Sequence, residues 1–83
     1  MTRSADDPAH EPHVHEALSL AREAADRGDE PFGSLLVRNG DVVMRESNRV
    51  VTEDDVRRHP ELHLAYRACR ELPPAARAET TMY

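Results

Sequence analysis

Apolar residues return along this chain with two different periods. From His13 onward, Val14, Ala17, Leu18, Ala21 and Ala25 recur at three- and four-residue spacing, which predicts one face of a helix. Gly28 ends the pattern, because glycine accepts the left-handed conformation that closes a helix. Upstream, residues 1–12 are polar and carry Pro8 and Pro12, which predicts a disordered tail. After Pro31, Ser34–Arg38 and Val42–Glu46 read as two short strands. Asn39-Gly40 lies between them and predicts a type I′ hairpin, since both central residues of that turn need positive φ. Leu35, Leu36 and Val37 are consecutive, as are Val42, Val43 and Met44. Such runs predict strands covered on both faces, or nearly so.

Ser47–Arg58 reads as a polar loop, broken by Val50, Val51 and Val56. Pro60 opens a second helix, and Pro73-Pro74 end it. Its expected apolar stripe is Leu62, Ala65, Cys69 and Leu72, which makes Cys69 a buried core thiol. Ala75–Glu79 is expected as a connector and Thr80–Tyr83 as a third strand. The order helix, strand, strand, helix, strand is that of an α/β fold.

Composition narrows the picture. Eighty-three residues suit one small domain. No run of about 18 apolar residues exists, so no membrane span is expected. Nothing near Arg3, Asp6 and Asp7 resembles a signal peptide, and a single cysteine excludes a disulfide framework. A reducing, cytoplasmic location is the default expectation. The net charge is −5, from 16 acidic residues against 11 basic ones, all of them arginine. That balance makes nucleic acid a poor partner and points to a salt-adapted or GC-rich source. The core is thin: there is no tryptophan or isoleucine, and Phe32 is the one phenylalanine. Small domains bury a small share of their surface, so an incomplete folding unit is expected.

The chemistry-bearing stretch is His59-Pro60-Glu61. Proline suits the first helical position, which makes His59 the cap residue and puts Glu61 in the first turn, where the helix dipole favours a carboxylate. Together they could flank a metal-bound water, with a ligand on one side and a proton shuttle on the other. The same spacing also describes an ordinary helix start with a favourable acid. His59 and His63 are four apart, but the metalloprotease pattern needs glutamate directly after the first histidine. His10, His13 and His15 read as a solvated helix entry.

Further motifs change the weighting. Gly28-Asp29-Glu30-Pro31-Phe32-Gly33-Ser34-Leu35-Leu36-Val37, Asn39-Gly40-Asp41, Asn48-Arg49-Val50 and His59-Pro60-Glu61 follow one another in order. This series resembles the cytidine and deoxycytidylate deaminase superfamily, and most of all its guanine deaminase and tRNA adenosine deaminase branch. The resemblance runs from about His13 to Tyr83. It implies hydrolytic deamination at a zinc ion held by one histidine or cysteine and two cysteines, with a glutamate that is not a ligand moving protons. Carried onto this sequence, His59 is the first zinc ligand and Glu61 the proton shuttle. Asn48 contacts the base, and Phe32 lies in the segment that lines the substrate pocket. Pro60 replaces the usual alanine, a change the first helical position tolerates.

The resemblance also shows what these residues lack. The family's next motif, after a strand like Thr81-Met82-Tyr83, is T-S-x-E-P-C-x-x-C, which brings the other two zinc ligands. The sequence here runs to Tyr83. The expected fold is therefore the N-terminal part of a three-layer α/β/α cytidine deaminase-like domain, truncated, over residues 13–83. A tetrahedral Zn2+ centre does not close on His59 alone. Without the following helix, Leu35, Val37, Val43 or their neighbours are expected to be exposed. The implied substrate is a free nucleoside or nucleobase. The acidic charge weighs against tRNA without excluding it, and the complete protein is expected to be a homodimer. Two other readings stay open: half of a split deaminase completed by a second polypeptide, and an inactive remnant.

Overall fold

A computed structural model describes residues 7–83. Helix α1 spans Glu11–Arg27, strands β1 and β2 span Gly33–Arg38 and Asp41–Ser47, α2 spans Pro60–Glu71, α3 Pro74–Ala78 and β3 Thr80–Met82. The sheet runs in the order β2-β1-β3, with β1 antiparallel to both neighbours. No helix among the described residues is long and apolar enough to cross a membrane.

Helix α1 ends where the glycine predicts. Gly28 has φ 92°, and its N–H donates to the carbonyls of Ala24 and Ala25. The helix starts earlier than its apolar period suggests, at Glu11, behind a 3-10 turn over Pro8–His10. Asp7 caps that turn by accepting from the Ala9 N–H at 2.9 Å. Pro12 sits in the first turn, where its missing N–H costs nothing. The predicted polar tail therefore gives way to helix at Pro8, and residues 1–6 lie outside the described residues.

The hairpin forms as predicted, with Asn39 at φ 53° and Gly40 at φ 81°. β1 is buried from Ser34 through Val37 and is covered on both faces. Helix α1 lies on the face that carries Gly33, Leu35 and Val37. A side chain on Gly33 would meet the Ala17 carbonyl at 2.6 Å and the Ala21 nitrogen at 2.7 Å. On the other face Leu36, Met44 and Leu64 form a core cluster joined by Ala68 and Leu72. The expected exposure of Leu35 and Val37 is thus corrected: α1 covers them, at 0% and 7% exposed. Val43 is exposed. It sits in a β-bulge, because Leu36 pairs with Met44 while Val37 pairs with Val42. β2 is also an edge strand, and along it only Met44 and Ser47 are buried.

Helix α2 buries a different stripe from the predicted one. Leu64 is fully buried and Ala68 and Leu72 pack with it, whereas Leu62, Ala65 and Cys69 face solvent. Cys69 is therefore an exposed thiol, not a core one. The fit of Leu64 onto Leu36 and Met44 sets the rotation of the helix. Pro73 ends α2 by holding Leu72 in extended geometry, at φ −112° and ψ 132°. The expected connector is instead the short α3, opened by Pro74 and built from alanines, both good helix starters. β3 pairs Thr80, Thr81 and Met82 with Arg38, Val37 and Leu36, and reciprocal bonds between Leu35 and Tyr83 extend the ladder. Tyr83 is tied further by Ser34 Oγ to its carbonyl and by His10 to its hydroxyl.

Candidate functional site

The end of β2 leads directly into the site. The Asn48 N–H donates to the Phe32 carbonyl at 3.0 Å, which joins the loop after β2 to the turn before β1. One residue on, the Arg49 N–H donates to the Arg58 carbonyl at 3.2 Å. That bond sets Asn48 beside the residue preceding His59. Phe32 and Asn48 are thus joined directly, and the neighbours of Asn48 and His59, Arg49 and Arg58, are joined to each other. Glu61 follows on the first turn of α2.

Asn48 is completely buried. Its carbonyl accepts from Arg27 Nη2 at 2.8 Å, and its side-chain Oδ1 accepts from the Val50 N–H at 3.0 Å. The Val50 bond fixes which way the amide faces, since an N–H requires the oxygen. Nδ2 is left buried without a partner. An unsatisfied buried donor costs about 1–3 kcal/mol, so a group kept in that state calls for an explanation. Arg58 Nε, on the other side of the Arg49–Arg58 bond, is the second buried side-chain atom in this condition among the described residues.

His59 is the cap residue of α2, at φ −64° and ψ 128°, and its side chain makes no capping bond. Pro60 occupies the first helical position and is buried. Glu61 is exposed in the first turn, with no side-chain hydrogen bond or ion pair among the described residues. Below them the half-buried Glu46 ties β2 to α2. It accepts from Arg67 at 2.9 Å and Arg58 at 3.3 Å, and His63 Nε2 lies 3.8 Å away. His63 therefore faces β2, not a shared ligand position with His59. Phe32 gives its carbonyl to Asn48, while its ring is 55% exposed in an open groove with Val14, Leu18 and Tyr83.

A second polar assembly was not visible in the motifs. The Asp29 carboxylate is wholly buried. It accepts from the N–H groups of Val51 and Thr52 at 3.1 and 2.8 Å, from Thr52 Oγ1 at 2.9 Å, and from Arg27 Nε at 3.3 Å. Arg27 also donates to Ser47 Oγ at 2.8 Å. Burial pushes the Asp29 carboxyl up, but the bonds from Thr52 and Arg27 outweigh it and hold it below its ordinary 3.8. One signal pointed here: an acid just past a helix C-terminus opposes the dipole and needs donors from elsewhere. Asp55 behaves differently, as a surface cap. The Arg57 side chain and N–H hold its carboxyl at about 2.

Zinc does not fit the described residues, which contain no group of three or more His, Cys, Asp or Glu side chains able to hold a metal ion. Cys69 is ten residues along α2 from His59, about 15 Å of helix rise, and faces solvent.

No protein-family model matches the chain. Individual relatives do. It is 32% identical over 71 residues to the tRNA-specific adenosine deaminase of Bacillus subtilis, covering 86% of this chain and 44% of that protein. It is 33% identical over 64 residues to the guanine deaminase of the same bacterium, covering 76% of this chain and 41% of that protein. A solved structure from a study of A-to-I editing by tRNA:A34 deaminases superposes with a TM-score of 0.72 at 31% identity, over 88% of this chain and 53% of the other. The Bacillus subtilis guanine deaminase structure also superposes at 0.72, with 26% identity over 89% of this chain and 48% of the other. The chain belongs to the cytidine deaminase-like superfamily. It spans less than half the length of the curated relatives it matches.

Proposed function

We propose that this chain carries the base-recognition side, and part of the catalytic side, of a cytoplasmic deaminase acting on a nucleoside or nucleobase. The observation that supports this most is the buried, unpartnered Asn48 Nδ2 held next to the start of α2. With Oδ1 committed to Val50, Asn48 offers a donor and nothing else. It suits an acceptor on the substrate, a ring carbonyl or ring nitrogen. Phe32 serves this group through its carbonyl, which fixes the Asn48 backbone.

Glu61 is the proton carrier. Its carboxylate takes a proton from the attacking water and delivers it to the ring nitrogen, then takes the proton of the newly attached hydroxyl and delivers it to the departing amine as that oxygen becomes a carbonyl. A carbon–oxygen bond forms, the carbon–nitrogen bond breaks, and ammonia leaves. An exposed carboxylate at a helix start is suited to such shuttling. His59 is the one residue of these 83 that we assign to a zinc site. A catalytic zinc takes three protein ligands, so zinc would need donors that these residues do not supply. A second polypeptide carrying those donors is one proposed source of a complete site, and the complete protein is proposed to be a homodimer. The acidic charge favours a small substrate over tRNA.

The test is ammonia release from guanine, adenosine and cytidine by the protein purified from its own source, with a native mass spectrum of the same sample. Turnover of at least one is expected, and E61Q should lower it about 100-fold or more while remaining folded. Full activity in E61Q removes Glu61 from the shuttle role. A 9.4 kDa species with no second polypeptide and no ammonia release overturns the catalytic reading.

A further inference from the structure

We propose that Asp29 is a positioning residue: with Arg27 it clamps the loop after β2 so that the Asn48 amide presents its Nδ2 to the site. This rests on reading Asn48 as the base contact. Three observations converge on it. First, Asp29 is a wholly buried carboxylate whose four bonds reach across 22 and 23 residues to Val51 and Thr52 as well as locally to Arg27. Second, Arg27 passes the connection on, since its Nη2 holds both Ser47 Oγ and the Asn48 carbonyl. Third, Val50, whose N–H holds Asn48 Oδ1, lies between the two points so pinned, Asn48 on one side and Val51-Thr52 on the other.

The result is a frame around one side chain. Every hydrogen-bonding group of Asn48 is used except Nδ2, and both segments that supply the bonds are anchored through Arg27 and Asp29. The acid also sits at a place of electrostatic disadvantage, just beyond the C-terminus of α1. A loop needing only to be closed could be tied at the surface. Burying a carboxylate for this purpose fixes the loop in one geometry, as a recognition group requires.

The sequence offers a direct readout. It contains two asparagines, Asn39 and Asn48, and no glutamine. A nitrogen-labelled sample therefore shows two side-chain amide pairs, and Asn48→Asp assigns its own by removal. In the intact chain the Asn48 pair should be distinct and protected. In Asp29→Asn it should move toward the position of the exposed Asn39 pair and exchange with water about tenfold faster or more, while the Asn39 pair and the hairpin amides stay in place. Thr52→Val removes one of the four bonds and should shift the Asn48 pair the same way by less, whereas Thr52→Ser keeps the hydroxyl and should restore the wild-type signal. An unmoved Asn48 pair in folded Asp29→Asn overturns the clamp. So does a shift shared equally by Asn39, which would mean general loosening. Should Asp29→Asn not fold, the Thr52 pair decides: identical spectra for valine and serine overturn the proposal. Titrating guanosine, adenosine and cytidine into the wild-type chain tests the underlying reading separately. No response at the Asn48 pair counts against Asn48 as a base contact and leaves the clamp to the variant spectra.

Discussion

The loop that carries Asn48 and the helix start that carries His59 and Glu61 make up two halves of one candidate site, and they are held in opposite ways. Around Asn48 the polar groups are buried and, apart from Nδ2, committed, with Asp29 and Arg27 bonded to the segments on both sides. At the start of α2 the His59 side chain makes no capping bond and Glu61 is exposed. On the proposed roles, the contrast separates recognition from chemistry. A group that recognises by one hydrogen bond gains from being fixed in advance. A group that moves protons needs access to water and to the atoms it serves. The buried half is therefore finished by the fold itself, and the open half depends on what is brought to it.

The largest effect should come from the scaffold that both halves share. Gly33→Ala places a side chain against the backbone of α1, with the Ala17 carbonyl and Ala21 nitrogen inside contact distance. Backbone yields poorly, so a loss of about 3 kcal/mol or more is expected, enough to leave so small a domain largely unfolded. Leu64→Ala removes the side chain joining α2 to Leu36 and Met44 and should cost about 2–5 kcal/mol. Circular dichroism melting checks both. A Gly33→Ala chain melting like wild type would show that α1 does not sit tightly on β1.

Acid should loosen the two halves unequally. The Asp29 carboxyl is held below 3.8, so folding favours its charged form. Its contribution is complete above the unfolded value and is lost as pH falls through the lower folded value. Wild type should therefore exceed Asp29→Asn in melting temperature at neutral pH, and the gap should close as pH drops below about 4. A constant gap down to the lowest pH would mean that Asp29 contributes through shape and not charge. Asp55, held at about 2 by Arg57 at the surface, should give a smaller effect confined to the turn before α2.

Much of this arrangement was legible in the residues. Asn39-Gly40 specified the hairpin because the turn is a local matter of positive φ, and Gly28 and Pro60 marked helix ends for equally local reasons. Of the residues the motifs singled out, Asn48 is bonded to the Phe32 carbonyl and His59 and Glu61 stand at the start of α2, while the Phe32 side chain lies on the α1 side. What failed was decided at a distance. α2 offers two apolar stripes, one through Leu62, Ala65 and Cys69 and one through Leu64 and Ala68, and both end on Leu72. Spacing alone does not choose between them. Leu36 and Met44 choose Leu64. The Asp29 assembly escaped for the same reason, since its partners at Val51 and Thr52 follow no period.

The smallest effects should fall on the stripe that lost. Leu62 and Tyr66 are more than half exposed, and Cys69 is an exposed free thiol. Leu62→Ala and Cys69→Ser should each shift stability by no more than about 0.5 kcal/mol, against several for Leu64→Ala on the same helix. Cys69 should also react with a thiol reagent in the folded chain at a rate close to that of the denatured one, since its access does not wait on unfolding. Slow, unfolding-limited labelling in the chain alone would mean that this face of α2 is covered, and that the helix is rotated from the position that Leu64 sets. If the face is exposed in the chain alone but protected in the protein purified from its source, the protection locates a covering element on α2, the helix whose first turn carries Glu61.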